Sequence, residues 1–361
     1  MLRKFIPFTQ VKHQKAIIVD SLHPNGLVLS HWRGAPTPAV VRGDTSADIV
    51  LNALREPTIN LDFEYVTANH FDVDGFVGVW ALLQPELALQ YEAVLRQMAL
   101  IGDFRELDLT NPAADQALKL VCWLNAKEKE LFYPPFGADA TEESEVIASV
   151  PKFDYFLQEF KAVLLDPEKE QSAWEPEYQA VGQDYALVQQ CKSNIRQYPA
   201  IGLICISLPK PVHYYALFGV TAGFDMVLAR YTYNQYELEY KYTTWVDIHS
   251  RPTWPRVALA PLAAKLNQLE TSGRTWNAES ITDTGPILRL DGKELTKQQR
   301  YANPTERPVY SSSIPPVELE NIIVTYYQEI YRDLQPQKYW TWEQVKTWNK
   351  NQAQSSWLSK I

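Results

Sequence analysis

The sequence predicts an α/β fold: an N-terminal strand-and-helix domain with a sheet flanked by helices, followed by a β-rich α+β domain. Three observations lead there. Phe63-Glu64-Tyr65-Val66-Thr67 is an aromatic and β-branched run that reads as a strand, and Phe76, Val77, Val79, Trp80, Leu82 and Leu83 after it suit a buried helix. Two short strand patterns, Lys15 to Asp20 and Gly26 to Trp32, precede it. From Ile201 to Trp245 the pattern turns to successive strands, which places a domain change near residue 195, between an α/β domain 1–195 and an α+β domain 196–361 with C-terminal helices.

In chain order, Lys15 to Asp20 gives the first strand. Pro24-Asn25-Gly26 carries the Asn-Gly pair of a hairpin turn, and Gly26 to Trp32 the second strand. Asp44, Thr45 or Ser46 caps a helix carrying Ile49, Val50, Leu51 and Leu54, which Pro57 ends. A helix from Pro85 to Ala99 has Pro in its first turn and Gly102 as its expected C-cap. Another spans Pro112 to Leu131. Pro134, Pro135, Gly137 and Glu142 to Glu145 read as a surface loop, and helices resume at Phe153 to Leu165 and Tyr178 to Cys191.

The second domain is expected to hold strands at Ile201–Leu208, Tyr214–Val220, Met226–Tyr233 and Tyr236–Trp245, with a turn at Asn234-Gln235. An amphipathic helix covers Arg256 to Glu270. Short strands at Thr275–Ile281 and Pro286–Leu290, a helix at Val317–Leu334 and a Trp-rich terminal helix complete it.

Composition narrows the function. With 46% hydrophobic and 21% charged residues the 361-residue chain is globular. A net charge of −9 without any basic block speaks against nucleic acid as a partner and suits a cation or a small anionic substrate carried on one. Three scattered cysteines make neither a zinc knot nor a disulfide framework, so a reducing cytosol is the expected compartment. No apolar run reaches the ~20 residues of a membrane helix, and the N-terminus has none of signal-peptide length.

The chemistry concentrates where the central strand meets its helix. His70, Asp72 and Asp74 alternate just before Gly75, at the carboxyl end of a strand, where ligand sites of α/β sheets lie. Two carboxylates that close repel each other, and a shared divalent cation removes the conflict. Carboxylate oxygens suit Mg²⁺ or Mn²⁺, and an imidazole shifts the preference toward Mn²⁺. One aspartate can cap the helix, which leaves the other and His70 unexplained by capping alone.

His70-Phe71-Asp72-Val73-Asp74-Gly75 resembles the first motif of the DHH phosphoesterase superfamily, His-x-Asp-x-Asp-Gly between a strand and a helix. The resemblance implies that Asp72 and Asp74 bind catalytic Mn²⁺ and that a water is activated to attack a phosphodiester or pyrophosphate. The chain as a whole resembles a bacterial family marked by Leu-Ser-His-Trp, Asp-Thr-Ser and Asn-His-Phe-Asp-x-Asp-Gly, with no assigned activity.

Other candidates carry two readings each. His31 is a further ligand at the same sheet edge or a hydrogen-bonded histidine beside Trp32. Asp44 is a ligand or a helix cap, and Asp103 a ligand or a polar residue past a helix end. Arg230 and Arg256 are candidates for holding an anionic substrate, against the plainer reading of salt bridges with the many acids. Ser311-Ser312-Ser313 reads as a linker. The expected function is a metal-dependent hydrolase in which His70, Asp72 and Asp74 are catalytic. The alternative is a non-catalytic ligand- or protein-binding protein whose acidic loop is structural.

Overall fold

The computed structural model describes residues 3–133 and 141–352, and it is an α/β fold. Contacts divide the chain into two compact units, Met1–Gln183 with Phe218–Val220, and Asp184–Leu217 with Thr221–Ile361. The division thus falls at Gln183/Asp184, where the sequence pattern suggested a change near residue 195.

The first unit is built on a four-stranded parallel sheet ordered β1-β4-β2-β3, from β1 (Lys4–Phe5), β2 (Ala16–Val19), β3 (Gly26–Leu29) and β4 (Tyr65–Thr67). Strand β2 is Ala-Ile-Ile-Val and fully buried, as befits an inner strand covered on both faces. The expected Asn25-Gly26 hairpin is not formed, because β2 and β3 pair in parallel, Ala16 opposite Gly26 and Val19 opposite Leu29. The signal has another cause. Asn25 Nδ2 donates to the Val11 carbonyl at 2.6 Å, and a Cβ on Gly26 would lie 1.9 Å from the Ala16 carbonyl oxygen. The glycine permits close backbone approach, and residues 20–25 return the chain to the start of the sheet.

Helix α1 (Ser46–Arg55) crosses from β3 back to β4, and Thr45 is its N-cap, its hydroxyl accepting from Asp48 N–H. Helix α2 (Val73–Leu83) is buried from Asp74 to Leu82. A Cβ on Gly78 would lie 2.6 Å from Val19 Cγ1, so glycine lets α2 lie close on β2. The expected Pro85–Ala99 helix is two helices, α3 (Pro85–Gln90) and α4 (Glu92–Phe104), broken at Tyr91. Gly102 is inside α4 and does not cap it; Arg105, at φ 59°, does. Gly102 is small for packing: a Cβ there would lie 2.3 Å from Val73 Cβ. Arg96 reaches Asp48 and Asn52 of α1 at 2.7 and 2.8 Å and ties α4 to it.

Helices α5 (Ala114–Leu131), α6 (Glu142–Leu165) and α7 (Gln171–Gln190) follow. Glu142 to Glu145 are the first turn of α6, not a loop, because Thr141 and Ser144 form a reciprocal capping box. Pro134, Pro135 and Gly137 lie outside the described residues. Phe71 and Phe76 pack against Phe156, and Phe76 against Phe160, holding the segment before α2 to α6.

The second unit has a six-stranded mixed sheet ordered β5-β6-β7-β8-β10-β9, from β5 (Ile195–Tyr198), β6 (Leu203–Leu208), β7 (Met226–Tyr231), β8 (Gln235–Tyr240), β9 (Trp276–Ala278) and β10 (Ile287–Leu290). Only β6 and β7 pair in parallel. Tyr214–Val220, expected as a strand, contains the short helix α8 (Tyr214–Phe218): apolar runs this short do not distinguish strand from buried helix. The β7–β8 turn runs through Thr232–Asn234, with Tyr233 and Asn234 at positive φ. Leu228, Leu238 and Leu288 share a core with α9 (Ala260–Leu269) and α11 (Pro316–Ile330), which lie on either side of α10 (Lys297–Tyr301) in the chain; α12 (Trp342–Gln352) follows. No helix of the described residues is long and apolar enough to cross a membrane.

Candidate metal centre

Three parallel strands of the first unit end at one edge, and each delivers a ligand-type side chain there. Asp20 follows β2, His31 follows β3 by two residues, and His70 follows β4 by three. Helix α2 adds Asp72 and Asp74 from its start, and α4 adds Asp103 from its last turn.

These side chains form two groups that share Asp20. Potential ligand atoms of Asp20, His31 and Asp74 lie within 4.8 Å of one another, as do those of Asp20, His70 and Asp72. His31 Nε2 is 3.3 Å from Asp20 Oδ1, 3.7 Å from Asp74 Oδ2 and 3.7 Å from Asp103 Oδ2. His70 Nε2 is 3.3 Å from Asp72 Oδ2 and 3.8 Å from Asp20 Oδ2. Asp20 therefore turns one oxygen to each group. Asp72 and Asp74 fall in different groups, which corrects the expectation that they hold one cation between them: the first sits at the helix cap, and the second is inside the helix and points to α1.

The two groups differ in exposure. The side chains of Asp20, His31 and Asp74 are at most 1% exposed and that of Asp103 5%, whereas His70 and Asp72 show 22% and 31%. Asp20 also sits at φ 46°, a left-handed conformation that costs an ordinary residue roughly 1–2 kcal/mol. Strain of that kind gathers at functional sites.

The imidazoles are oriented by their other nitrogens. His31 Nδ1 donates to the Asp44 carbonyl at 2.7 Å, and His70 Nδ1 faces Asn69 Oδ1 at 2.6 Å, so Nε2 of each is directed at the carboxylates. Asp44 thus contributes its backbone, and its carboxylate belongs to neither group. Asp72 caps α2 through Gly75 N–H at 2.7 Å while its other oxygen faces His70. Asp74 accepts from Ser46 N–H and Ala47 N–H at 2.7 and 2.8 Å, capping α1 rather than its own helix.

The charges are not balanced within the group. Among the described residues the ion-pair partners of Asp20, Asp72, Asp74 and Asp103 are the two imidazoles. Burial pushes Asp74 up to about 7, against the pull of His31 and with a further push from Asp20 and Asp72. Burial raises Asp103 well above the usual carboxylate range, with Asp74, Asp72 and Asp20 adding to the effect. Burial works against the charged form of His70, yet Asp72 and then Asp20 hold it up to about 9. Asp103 Oδ2 is buried with no hydrogen-bond donor among the described residues.

A divalent cation fits this set. Two ligand atoms each about 2.0–2.2 Å from a common ion stand roughly 3–4 Å apart, the range of the His–Asp separations here and longer than a good N–H···O bond. Aspartate and imidazole are donors suited to such ions.

The sequence candidates His31, His70, Asp72, Asp74 and Asp103 are brought together, and Asp20 was missed. Its one sequence signal is an acid closing the apolar strand Ala-Ile-Ile-Val. Arg230 and Arg256 lie in the second unit. Arg230 pairs with Glu320, as does Arg196. Arg256 is 1% exposed and donates to Thr244 Oγ1 and to the carbonyls of Ile281, Asp283 and Thr284. Ser312 and Ser313 bind the Glu270 carboxylate and do not form a free linker.

Fold and site together define an α/β protein with a buried Asp/His cluster able to hold metal ions. The chain belongs to DUF6687, a family of unknown function, whose model matches residues 1–338. No curated protein and no solved structure matches it.

Proposed function

We propose that the protein is a divalent-metal-dependent hydrolase acting on a phosphoester or pyrophosphate, with a two-cation site bridged by Asp20. The observation that carries the reading is the shared carboxylate: one oxygen of Asp20 faces His31, in a group with Asp74, and the other faces His70, in a group with Asp72, while Asp103 faces His31 as well. Asp20, His31, Asp74 and Asp103 would hold the buried cation; Asp20, His70 and Asp72 the exposed one. The His-x-Asp-x-Asp-Gly resemblance to DHH phosphoesterases supports the phosphoryl class, although the Asp-His-His triplet of that superfamily is absent from the chain. Mn²⁺ or Mg²⁺ suits the oxygen-rich donors, with the imidazoles favouring Mn²⁺.

A bound divalent cation supplies Lewis acidity toward water and toward a phosphoryl oxygen. The residues do the rest. The Asp44 carbonyl fixes the His31 ring. The aromatic packing of Phe71 holds the His70–Asp72 segment. Among the described residues the His70–Asp72 side is the more exposed of the two, so substrate would approach there, beside Trp32, 5.9 Å from His70 between ring centroids.

The test is elemental analysis of the purified chain, followed by hydrolysis of generic phosphodiesters and pyrophosphate with Mn²⁺. Bound metal and turnover in the wild type, both lost in Asp72→Asn and Asp74→Asn with the fold intact, are expected. Absence of metal and of any thermal shift with divalent ions would refute the reading. The second reading, a non-catalytic protein with a structural acidic loop, draws on the capping of α1 by Asp74, which binds that carboxylate without any cation. Metal binding without turnover of any phosphoester would favour it.

A further inference from the structure

We infer that Ser46 is the positioning residue that makes Asp20 a bridge between the two groups. This rests on the two-cation reading above.

The geometry is specific. Ser46 Oγ donates its one hydrogen to Asp20 Oδ1 at 2.7 Å. The same oxygen accepts from His31 N–H at 3.2 Å. Ser46 N–H donates to Asp74 Oδ2 at 2.7 Å. One small residue therefore touches Asp20, His31 and Asp74 of the buried group, which come from the ends of two strands and the start of α2. Ser46 itself is fully buried, so its hydroxyl has no solvent alternative.

The consequence concerns rotation of a carboxylate. Asp20 sits on a left-handed backbone, and its side chain can turn about its own axis unless one oxygen is tied. The Ser46 hydroxyl ties Oδ1 on the His31 side, and Oδ2 is left facing His70 at 3.8 Å. Without the tie, both oxygens can turn to the buried group, and the exposed group loses its third ligand. Ser46 thereby couples the two halves while acting as a ligand in neither. Outer-shell hydrogen bonds of this kind typically change metal affinity about 10- to 100-fold.

The neighbouring Thr45 supplies the control. It caps α1 through Asp48 N–H, so its loss weakens the start of the helix without removing the Ser46 hydroxyl. Metal-free full-length wild type, Ser46→Ala and Thr45→Ala are titrated with Mn²⁺ alone by calorimetry, with circular dichroism and thermal melts to report folding. Electron paramagnetic resonance reports whether two bound ions are exchange-coupled. Wild type is expected to bind two Mn²⁺ and show the coupled-pair spectrum. Ser46→Ala is expected to lose about 10- to 100-fold in affinity for the second ion and to lose the coupled spectrum. Thr45→Ala should melt earlier yet keep both ions and their coupling. Ser46→Ala binding two coupled ions like wild type, or Thr45→Ala losing them equally, overturns the positioning role and leaves the metal site standing. A wild type that binds no Mn²⁺ overturns both.

Discussion

The two units each bury carboxylates, and they treat them oppositely. In the second unit Glu237 is 3% exposed and lies between two guanidinium groups: Arg307 Nε and Nη2 at 3.0 and 2.7 Å and Arg289 Nη1 at 3.2 Å. Glu320 on α11 is likewise held by Arg196 and Arg230, with the Tyr198 hydroxyl at 2.8 Å. In the first unit four aspartates face two imidazoles, and one of them, Asp74, is driven up to about 7 by burial. Among the described residues arginines pair with the buried glutamates of the second unit, and none pairs with these four aspartates. Removing one partner of a buried ion pair is costly, so the two clusters should respond differently to mutation and, under the proposed function, to added cations.

That contrast can be broken from either side. The largest effect is expected in the second unit. Arg307→Ala leaves Glu237 buried beside a single guanidinium and should destabilise the protein by about 3–5 kcal/mol in denaturant unfolding, with no recovery on adding Mn²⁺. Recovery by a divalent ion would erase the distinction between the two clusters. Next is Asp20→Asn, which removes the charge common to both groups. Mn²⁺ affinity should fall at least ~100-fold, while the metal-free protein, losing the Asp20 charge that faces His31 and His70, should be destabilised less than by Arg307→Ala. A metal-free melt that drops sharply instead would make Asp20 architectural.

The response to pH should also separate the clusters. In the metal-free chain Asp74 stands at about 7 against an ordinary 3.8. The folded state then holds a proton that the unfolded state has lost, and the stability due to it fades as pH rises from about 4 to 7. His70, raised from 6.5 to about 9, contributes stability below 6.5 that is lost as pH rises through 9. A cation must displace both protons, so the thermal shift caused by excess Mn²⁺ should grow between pH 6 and 9. An equal shift across that range would mean the ion binds elsewhere. The smallest effect is steric. Gly102→Ala drives a Cβ into Val73, displaces the end of α4 that carries Asp103, and should cost about 1–3 kcal/mol. Mn²⁺ binding at the buried group should weaken with it, and unchanged binding would remove Asp103 from the site.

Much of the site was legible because it is local. His70, Asp72 and Asp74 sit on one strand-to-helix turn, and the aromatic strand before them and apolar helix after them announce the place. Asp20 and Ser46 were not legible as site residues, since what they do depends on β2, β3 and α1 meeting at one edge, which no local pattern reports. Asn25-Gly26 carries the residues of a hairpin, but here glycine serves close approach to Ala16 within a parallel pair. Gly102 looked like a helix cap for the same reason: a glycine needed for packing against Val73 is indistinguishable, in sequence, from one needed for a turn. Arg230 and Arg256 looked available because their partners, Glu320 and a ring of backbone carbonyls, are far away in the chain.

The most direct test is an anomalous-scattering map from crystals of the full chain grown with MnCl₂. Two peaks are predicted on either side of Asp20, one among His31, Asp74 and Asp103 and one among His70 and Asp72, each within about 2.0–2.3 Å of its ligand atoms. A map with no peak at that sheet edge, and with Asp20 bonded to Ser46 alone, would contradict the metal centre.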